Sequence, residues 1–221
     1  MYDLLIKNGS ILDGTGSPAY VADVAAVGSE IVAIGRLDGE AASTVDASGL
    51  TVCPGFIDLH THSDMSFLLD NTAQSKVRQG VTLELAGNCG SSFCAPLIGD
   101  AREALEARVS QYTDNFEITW SDFGSYLDAL EAAQPSLNIA VQVGHGTVRS
   151  CVVGLDSRAP DGEELDRMKA LVADSLDAGA MGISTGLFYA PGNYARLDEV
   201  IALAAVASER GKLYSTHMRD E

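Results

Sequence analysis

Hydrophobic and polar positions along the chain follow two regimes that change at Pro54. Before it, short apolar runs with a period near two dominate: DLLIKNGSIL, VADVAAV, EIVAIG and TVDASGLTV. Such alternation marks half-buried strands. Asn8-Gly9 interrupts the first run and Gly28-Ser29 separates the second from the third, and both dipeptides predict hairpin turns. Helical periodicity is absent. Residues 1–54 are therefore expected to form a small β-sandwich or meander.

After Pro54 apolar runs alternate with longer stretches of helical spacing. FIDLHTH, VTLELAGN, NIAVQVGHG, GAMGISTG and KLYSTHMR read as strands, the first of them buried. Between them lie a segment containing AQSKVRQG and the helical candidates DAREALEARVSQY and YLDALEAAQ. Next come GEELDRMKALVADSLDAG, closed by Gly179, and LDEVIALAAVASERG. Strands alternating with helices predict βα units around a parallel sheet. Residues 55–221 are thus read as α/β, five strands of a (β/α)8-type barrel that stops after the fifth. An open five-stranded sheet is the other solution, and either leaves unpaired strand edges that invite self-association.

Composition narrows the partners. The 221 residues carry 31 acidic against 14 basic side chains, a net charge of −17. That field opposes nucleic acid and anionic membrane surfaces, and a small anionic substrate would need specific cations set against it. No run approaches the roughly 20 apolar residues of a membrane span. The start, MYDLLIKNGS, lacks a basic leader followed by an apolar core. Cys53, Cys89, Cys94 and Cys151 are irregularly spaced and read as reduced thiols. The expectation is a cytoplasmic protein that acts on a small molecule.

The candidate chemistry sits where the predicted strands end. His60 and His62 close the first, and residues two apart on a strand face the same side, so both rings project together. Asn88-Cys89-Gly90 closes the second strand, Gly144-His145-Gly146 the third and Thr216-His217-Met218-Arg219 the fifth. In a βα barrel these ends converge on one mouth, and histidines with a thiolate are ligands for a divalent metal. Cys89 reads either as a small buried hydrophobe or as a functional thiol, and its place in a turn favours the thiol. His145, between two glycines, reads as a hydrogen-bonding histidine that orients a ligand rather than binding metal. His217 is either a ligand or a core histidine. Asp64 orients a histidine, caps the next element or is solvated. Cys53, Cys94 and Cys151 are expected to be structural, and Arg149 and Arg219 to serve surface or salt-bridge roles.

CPGFIDLHTHSD resembles the first-strand signature of the amidohydrolase superfamily. QGVTLELAGNCGSSFCAPL, VGHGTVR, GAMGISTGLFYAPGNYA and STHMRDE are similar, in order and spacing, to the N-acyl-D-amino-acid deacylases (D-aminoacylases), and the resemblance spans the chain. It implies a zinc enzyme that cleaves an N-acyl-D-amino acid into a carboxylate and a D-amino acid. Its main zinc would be held by Cys89 and His217, with His60 and His62 lining a second position. Phe188 and Tyr189 match pocket positions for the substrate side chain, packing under a loop being the alternative. Hydantoinases carry a carboxylated lysine at the fourth strand end; AMGISTG has none. A D-specific dipeptidase or a hydantoinase- or dihydroorotase-like cyclic amidohydrolase remains the sister expectation, and a non-catalytic half-barrel the expectation outside enzymes. The family's sixth-strand histidine and its eighth-strand general-base aspartate have no counterpart in these residues, so the chain is expected to be a truncated form, inactive alone.

Overall fold

The computed structural model describes residues 1–93, 97, 100–111, 113 and 116–220, arranged in two compact units, Met1–Gly55 and Phe56–Glu221. In the first unit, strands β1 (Tyr2–Ile11), β2 (Tyr20–Val27), β3 (Glu30–Gly35), β4 (Ala41–Asp46) and β5 (Thr51–Val52) form one sheet. Its order is β3-β2-β1-β4, with β5 also on β1. The β1/β2 and β2/β3 pairs are antiparallel, and β4 and β5 run parallel to β1. The unit is therefore a single mixed sheet among the described residues, not a sandwich.

The hairpin expected at Gly28-Ser29 forms, with Val27 opposite Glu30 and Gly28 at φ +58°. Asn8-Gly9 makes no turn. The strand runs straight through it, and its register with β2 slips between Ile6 and Gly9 while Asn8 takes φ +62°. This is a β-bulge, fastened from outside the local sequence. Asp23 Oδ1 accepts from the Asn8 amide at 2.8 Å, and Oδ2 accepts from Lys7 Nζ at 2.8 Å and from the Leu37 amide at 3.0 Å.

In the second unit, β6 (Phe56–Asp58), β7 (Val81–Ala86) and β8 (Asn138–Val141) form one parallel sheet. A second parallel sheet holds β9 (Val143–Gly144), β10 (Gly182–Gly186) and β11 (Leu213–His217). The third expected strand is thus divided at Gln142, its first part pairing with β7 and its second with β10. Helices α1 (Ser66–Leu69), α2 (Gln74–Val77), α3 (Asp100–Val109) and α4 (Phe123–Ala133) precede β8. They are followed by α5 (His145–Val152), α6 (Gly162–Asp177) and α7 (Leu197–Glu209).

Local chemistry explains most of these boundaries. Helix α6 opens with a reciprocal capping box between Asp161 and Glu164, and buries Met168, Val172 and Leu176 at four-residue spacing. Each such side chain contributes about 1.5–3 kcal/mol on leaving water. They meet Trp120, Tyr126, Val141, Val143 and Ile183 in one core. Strand β10 is buried throughout. The first strand, expected to be buried, is not: Phe56 and Ile57 are 56% and 58% exposed, because β6 is an edge strand of its sheet. No helix among the described residues is long and apolar enough to cross a membrane.

Candidate metal centre

The backbone just before the paired histidines is held by an ion triad. Lys76 on α2 reaches Asp58 Oδ2 at 2.7 Å and buried Glu84 on β7 at 3.2 Å. Asp58 Oδ1 in turn accepts from the His60 amide at 3.2 Å. The Lys76 and His60 donors hold the Asp58 carboxyl below its ordinary pKa. Thr61 bonds the Leu85 carbonyl through both its amide and its hydroxyl, at 3.1 Å each. His60 and His62 emerge on either side of that anchor, their ring centroids 5.5 Å apart.

Cys89 sits in a turn built for close approach. Its own φ is +55°, between Gly87 at +74° and Gly90 at +72°. The left-handed region is open to glycine and strained for a side chain. Ser184 on β10 bridges the turn, donating to the Gly87 carbonyl and accepting from the Gly90 amide at 3.0 Å. The buried Asn88 amide nitrogen bonds the carbonyls of Leu85 at 2.8 Å and Thr61 at 3.3 Å. Its oxygen accepts from Gln142 at 3.1 Å, and Gln142 accepts from Ser215 on β11 at 2.9 Å. One polar chain therefore links the Thr61 segment, the end of β7, Gln142 and β11 through the residue next to Cys89. The neighbours must be glycine too: a Cβ on Gly186 would lie 2.0 Å from the Cys89 carbonyl oxygen, and one on Gly144 2.6 Å from that of Gly90.

These scaffolds bring the ligand types together. Cys89 Sγ lies 3.3 Å from His60 Nε2 and 3.6 Å from His217 Nδ1. The donor atoms of His60, His62 and Cys89 all fall within 4.8 Å of one another. Ligand bonds of ~2.3 Å to sulfur and ~2.0–2.1 Å to nitrogen put tetrahedral S···N pairs about 3.6 Å apart. The cluster has that spacing and that donor set, so it fits a zinc-type ion. Partial desolvation, then the positive neighbours His60 and Arg108, lower the pKa of His62, which favours the neutral, ligating form.

The aromatic pair borders the cluster. The Tyr189 and Phe188 rings stand 4.9 Å and 5.8 Å from the His217 ring, and both side chains are half-exposed rather than packed away. His145 lies elsewhere. It opens helix α5, fully buried, with Nε2 2.8 Å from Glu199, whose two carboxylate oxygens also accept from Arg149 Nη1 at 2.7 and 2.9 Å. Burial pushes the Glu199 pKa up, and His145 and Arg149 together pull it below its ordinary value. Of the two roles expected for Arg149, the structure shows the salt bridge, and buries it rather than leaving it at the surface. Exposed Arg219 donates to the carbonyls of Asn193 and Ala195 at 3.0 Å each.

Asp64 is 2% exposed, which removes the solvated alternative, and burial pushes its pKa up to about 6. Among the cysteines, Cys151 packs half-buried against the core. Cys53 is exposed and has no packing role, and none of Cys53, Cys89 and Cys151 is in a disulfide. Cys94 lies outside the described residues. One residue was invisible to sequence reasoning: Arg108, on the same side of α3 as Leu105, lines a cavity of ≈ 450 Å³ together with His62, Cys89 and Tyr189. Only the tertiary fold puts it there.

The family model described as "Amidohydrolase family" matches residues 43–219, and the chain belongs to this family. It is 42% identical to a D-aminoacylase of Alcaligenes xylosoxydans xylosoxydans over 221 residues, which are 100% of this chain and 45% of that protein. The crystal structure of a D-aminoacylase superposes with a TM-score of 0.90 at 39% identity, covering 100% of this chain and 46% of that one. The N-acyl-D-glutamate deacylase of Bordetella bronchiseptica, solved with zinc and a phosphonate mimic of the tetrahedral intermediate, superposes at 0.88 and 38% identity, with 100% and 46% coverage. The fold is that of the amidohydrolases, and the chain spans a little under half the length of these relatives.

Proposed function

We propose that this chain carries the metal-binding strand ends of a zinc-dependent amidohydrolase that hydrolyses the amide bond of N-acyl-D-amino acids. The observation that carries the reading is the approach of His60 and His217 to Cys89 Sγ, at 3.3 and 3.6 Å. Similarity to a D-aminoacylase and to a zinc-bound deacylase supports both the metal and the substrate class. In this reading Cys89 and His217 hold the tightly bound zinc, and His60 and His62 line a second position. When bound, the ion polarises the amide carbonyl and acidifies water.

The chain's own residues do the rest of what falls to them. Phe188 and Tyr189 wall the site beside His217 and receive the substrate side chain. His145, through Glu199 and Arg149, locks the start of α5 to α7 and so fixes the segment between β10 and α7 that carries both aromatics. Asp64, buried two residues beyond His62, accepts from the Tyr126 hydroxyl through its backbone carbonyl at 2.7 Å and so helps fix the histidine-bearing segment. The metal cluster holds no carboxylate among the described residues. The chain spans 45% of the length of the D-aminoacylase it matches, and the group that takes the proton from water and returns it to the departing amine is proposed to lie outside the described residues.

Metal content tests the reading directly. Zinc bound per chain, measured by elemental analysis after dialysis, is expected to fall at least about 10-fold in Cys89→Ala and in His217→Ala. His60→Ala is expected to retain the first ion. Wild-type zinc content in Cys89→Ala would overturn the metal assignment. For the whole protein, turnover of N-acetyl-L-methionine in preference to the D form would overturn the substrate class while leaving the amidohydrolase family in place.

A further inference from the structure

We propose that Gln142 is a positioning residue for the metal centre: it sets the spacing of Cys89 and His217 across the seam between the two parallel sheets. The inference rests on the zinc reading above. The two proposed ligands of the tightly bound ion belong to different sheets. Cys89 follows β7 in the β6-β7-β8 sheet, and His217 ends β11 in the β11-β10-β9 sheet. Among the described residues no strand belongs to both sheets. Ligand geometry has to be held to within about 0.5 Å, so something other than strand pairing must hold it here. Gln142 stands at the joint between β8 and β9, fully buried, its amide donating to the Ala86 carbonyl at 3.0 Å.

The side chain of Gln142 closes a relay whose direction is forced. Asn88 turns its amide nitrogen toward the carbonyls of Leu85 and Thr61. Those oxygens can only accept, so Asn88 Oδ1 is the atom that faces Gln142. Gln142 must then donate through Nε2, at 3.1 Å, and its Oε1 accepts from Ser215 Oγ at 2.9 Å. Every member of the relay except Gln142 adjoins proposed ligands. Thr61 lies between His60 and His62, Asn88 precedes Cys89, and Ser215 stands two residues before His217 on the same face of β11. The backbone adds a second tie, because a Cβ on Gly87 would lie 2.1 Å from the Gln142 carbonyl oxygen. Ser184 joins β10 to the Cys89 turn, and Gln142 carries the connection on to β11. Leaving Asn88 Oδ1 or the Ser215 hydroxyl unpaired in this buried setting is costly, so loss of the Gln142 amide shifts the strand ends that bear the ligands.

The test measures metal binding by the full chain. Zinc affinity, from competition with a chromophoric chelator, is expected to weaken about 10-fold in Gln142→Met, which keeps the length and loses both hydrogen bonds. Gln142→Glu keeps the shape and the acceptor for Ser215 but sets a carboxylate oxygen against Asn88 Oδ1. It is expected to weaken zinc as well, which keeps the test open if the methionine variant does not fold. Ser215→Ala, at the far end of the relay, is expected to weaken zinc about 3-fold. Added to Gln142→Met it should do less than the product of the two single effects, since both cut the same relay. Cobalt(II) in place of zinc gives the second readout: the thiolate-to-cobalt absorption is expected to shift or lose intensity in both Gln142 variants. Val172→Ala, which removes buried apolar atoms from α6, controls for lost stability and is expected to keep the wild-type zinc affinity and cobalt spectrum. Wild-type affinity and spectrum in both Gln142 variants overturn the proposal and leave the metal reading standing. An equal loss in Val172→Ala also overturns it, because metal affinity would then follow stability alone. Thiolate-to-cobalt absorption that survives Cys89→Ala refutes the metal reading first.

Discussion

Gly186 shows how little freedom the residues around Cys89 retain. A methyl group there would sit 2.0 Å from the Cys89 carbonyl oxygen and 2.7 Å from its carbon. Backbone atoms cannot swing aside as a side-chain tip can, so the turn itself must move. Cys89 already has a left-handed φ of +55°, and any shift of its backbone carries Sγ off His60 and His217. Gly186→Ala is therefore expected to weaken zinc binding at least about 10-fold and to cost about 1–3 kcal/mol of stability, as overpacking does. Gly162, at the start of α6 with nothing near its would-be Cβ, is the control. There the same change is expected to be neutral or to stabilise by up to about 1 kcal/mol. Zinc titration and urea unfolding of both variants decide the matter. Wild-type zinc affinity in Gly186→Ala would mean that the turn can relocate without moving the thiol. The sequence made Cys89 conspicuous because its turn signal is local, Asn on one side and Gly on the other. Arg108 was illegible for the opposite reason: the cavity it lines is assembled from residues far apart in the chain.

Elements differ in the same way. Helix α6 could be read from the chain because its cap, Asp161 with Glu164, and its apolar stripe lie within one window. Helix α5 could not. Its sequence, HGTVRSCV, holds one glycine and three β-branched residues, which disfavour helix, and what holds it is tertiary: buried Val148 and the Arg149–Glu199 pair. The Asn8-Gly9 bulge is the clearest case. The dipeptide signals a turn, yet Gly9 is required because a Cβ would lie 2.5 Å from Val52 Cγ2, and Asn8 is kept in place by Asp23. That last contact has a pH signature. The Lys7 ion pair, followed by the Asn8 and Leu37 amides, lowers the Asp23 pKa from 3.8 to about 2. A carboxylate whose pKa is lower in the folded state stabilises fully above its unfolded value and loses that contribution as pH falls through the folded one. Asp23→Asn is thus expected to reduce the protection of the Asn8 amide from hydrogen exchange at pH 5–7. It should also flatten the acid dependence of this sheet between about pH 4 and pH 2. An unchanged profile would assign the acid transition to other carboxylates.

At the scale of the whole molecule, two opposing features govern how the 221-residue polypeptide behaves by itself. Strands β6 and β11 are edge strands in their sheets, and their neighbourhoods expose Phe56, Ile57, Leu59, Leu213, Tyr214 and Met218, each between 43% and 66%. Unpaired strand edges beside apolar side chains are templates for association. The net charge of −17 works the other way, keeping like molecules apart through long-range repulsion. Salt separates the two effects, because it screens the repulsion and leaves, or strengthens, the apolar contact. The Debye length shrinks from ~30 Å at ~0.01 M to ~3 Å at ~1 M. Light scattering behind size exclusion is therefore expected to give a monomer mass at low salt and a growing share of dimer or larger species as salt rises. Replacing Phe56 and Leu213 with lysine should restore the monomer at high salt, since edge lysines block strand addition. A monomer at every salt concentration would mean that the edges are protected by something other than charge. An oligomer unaffected by either lysine would place the contact on a different surface.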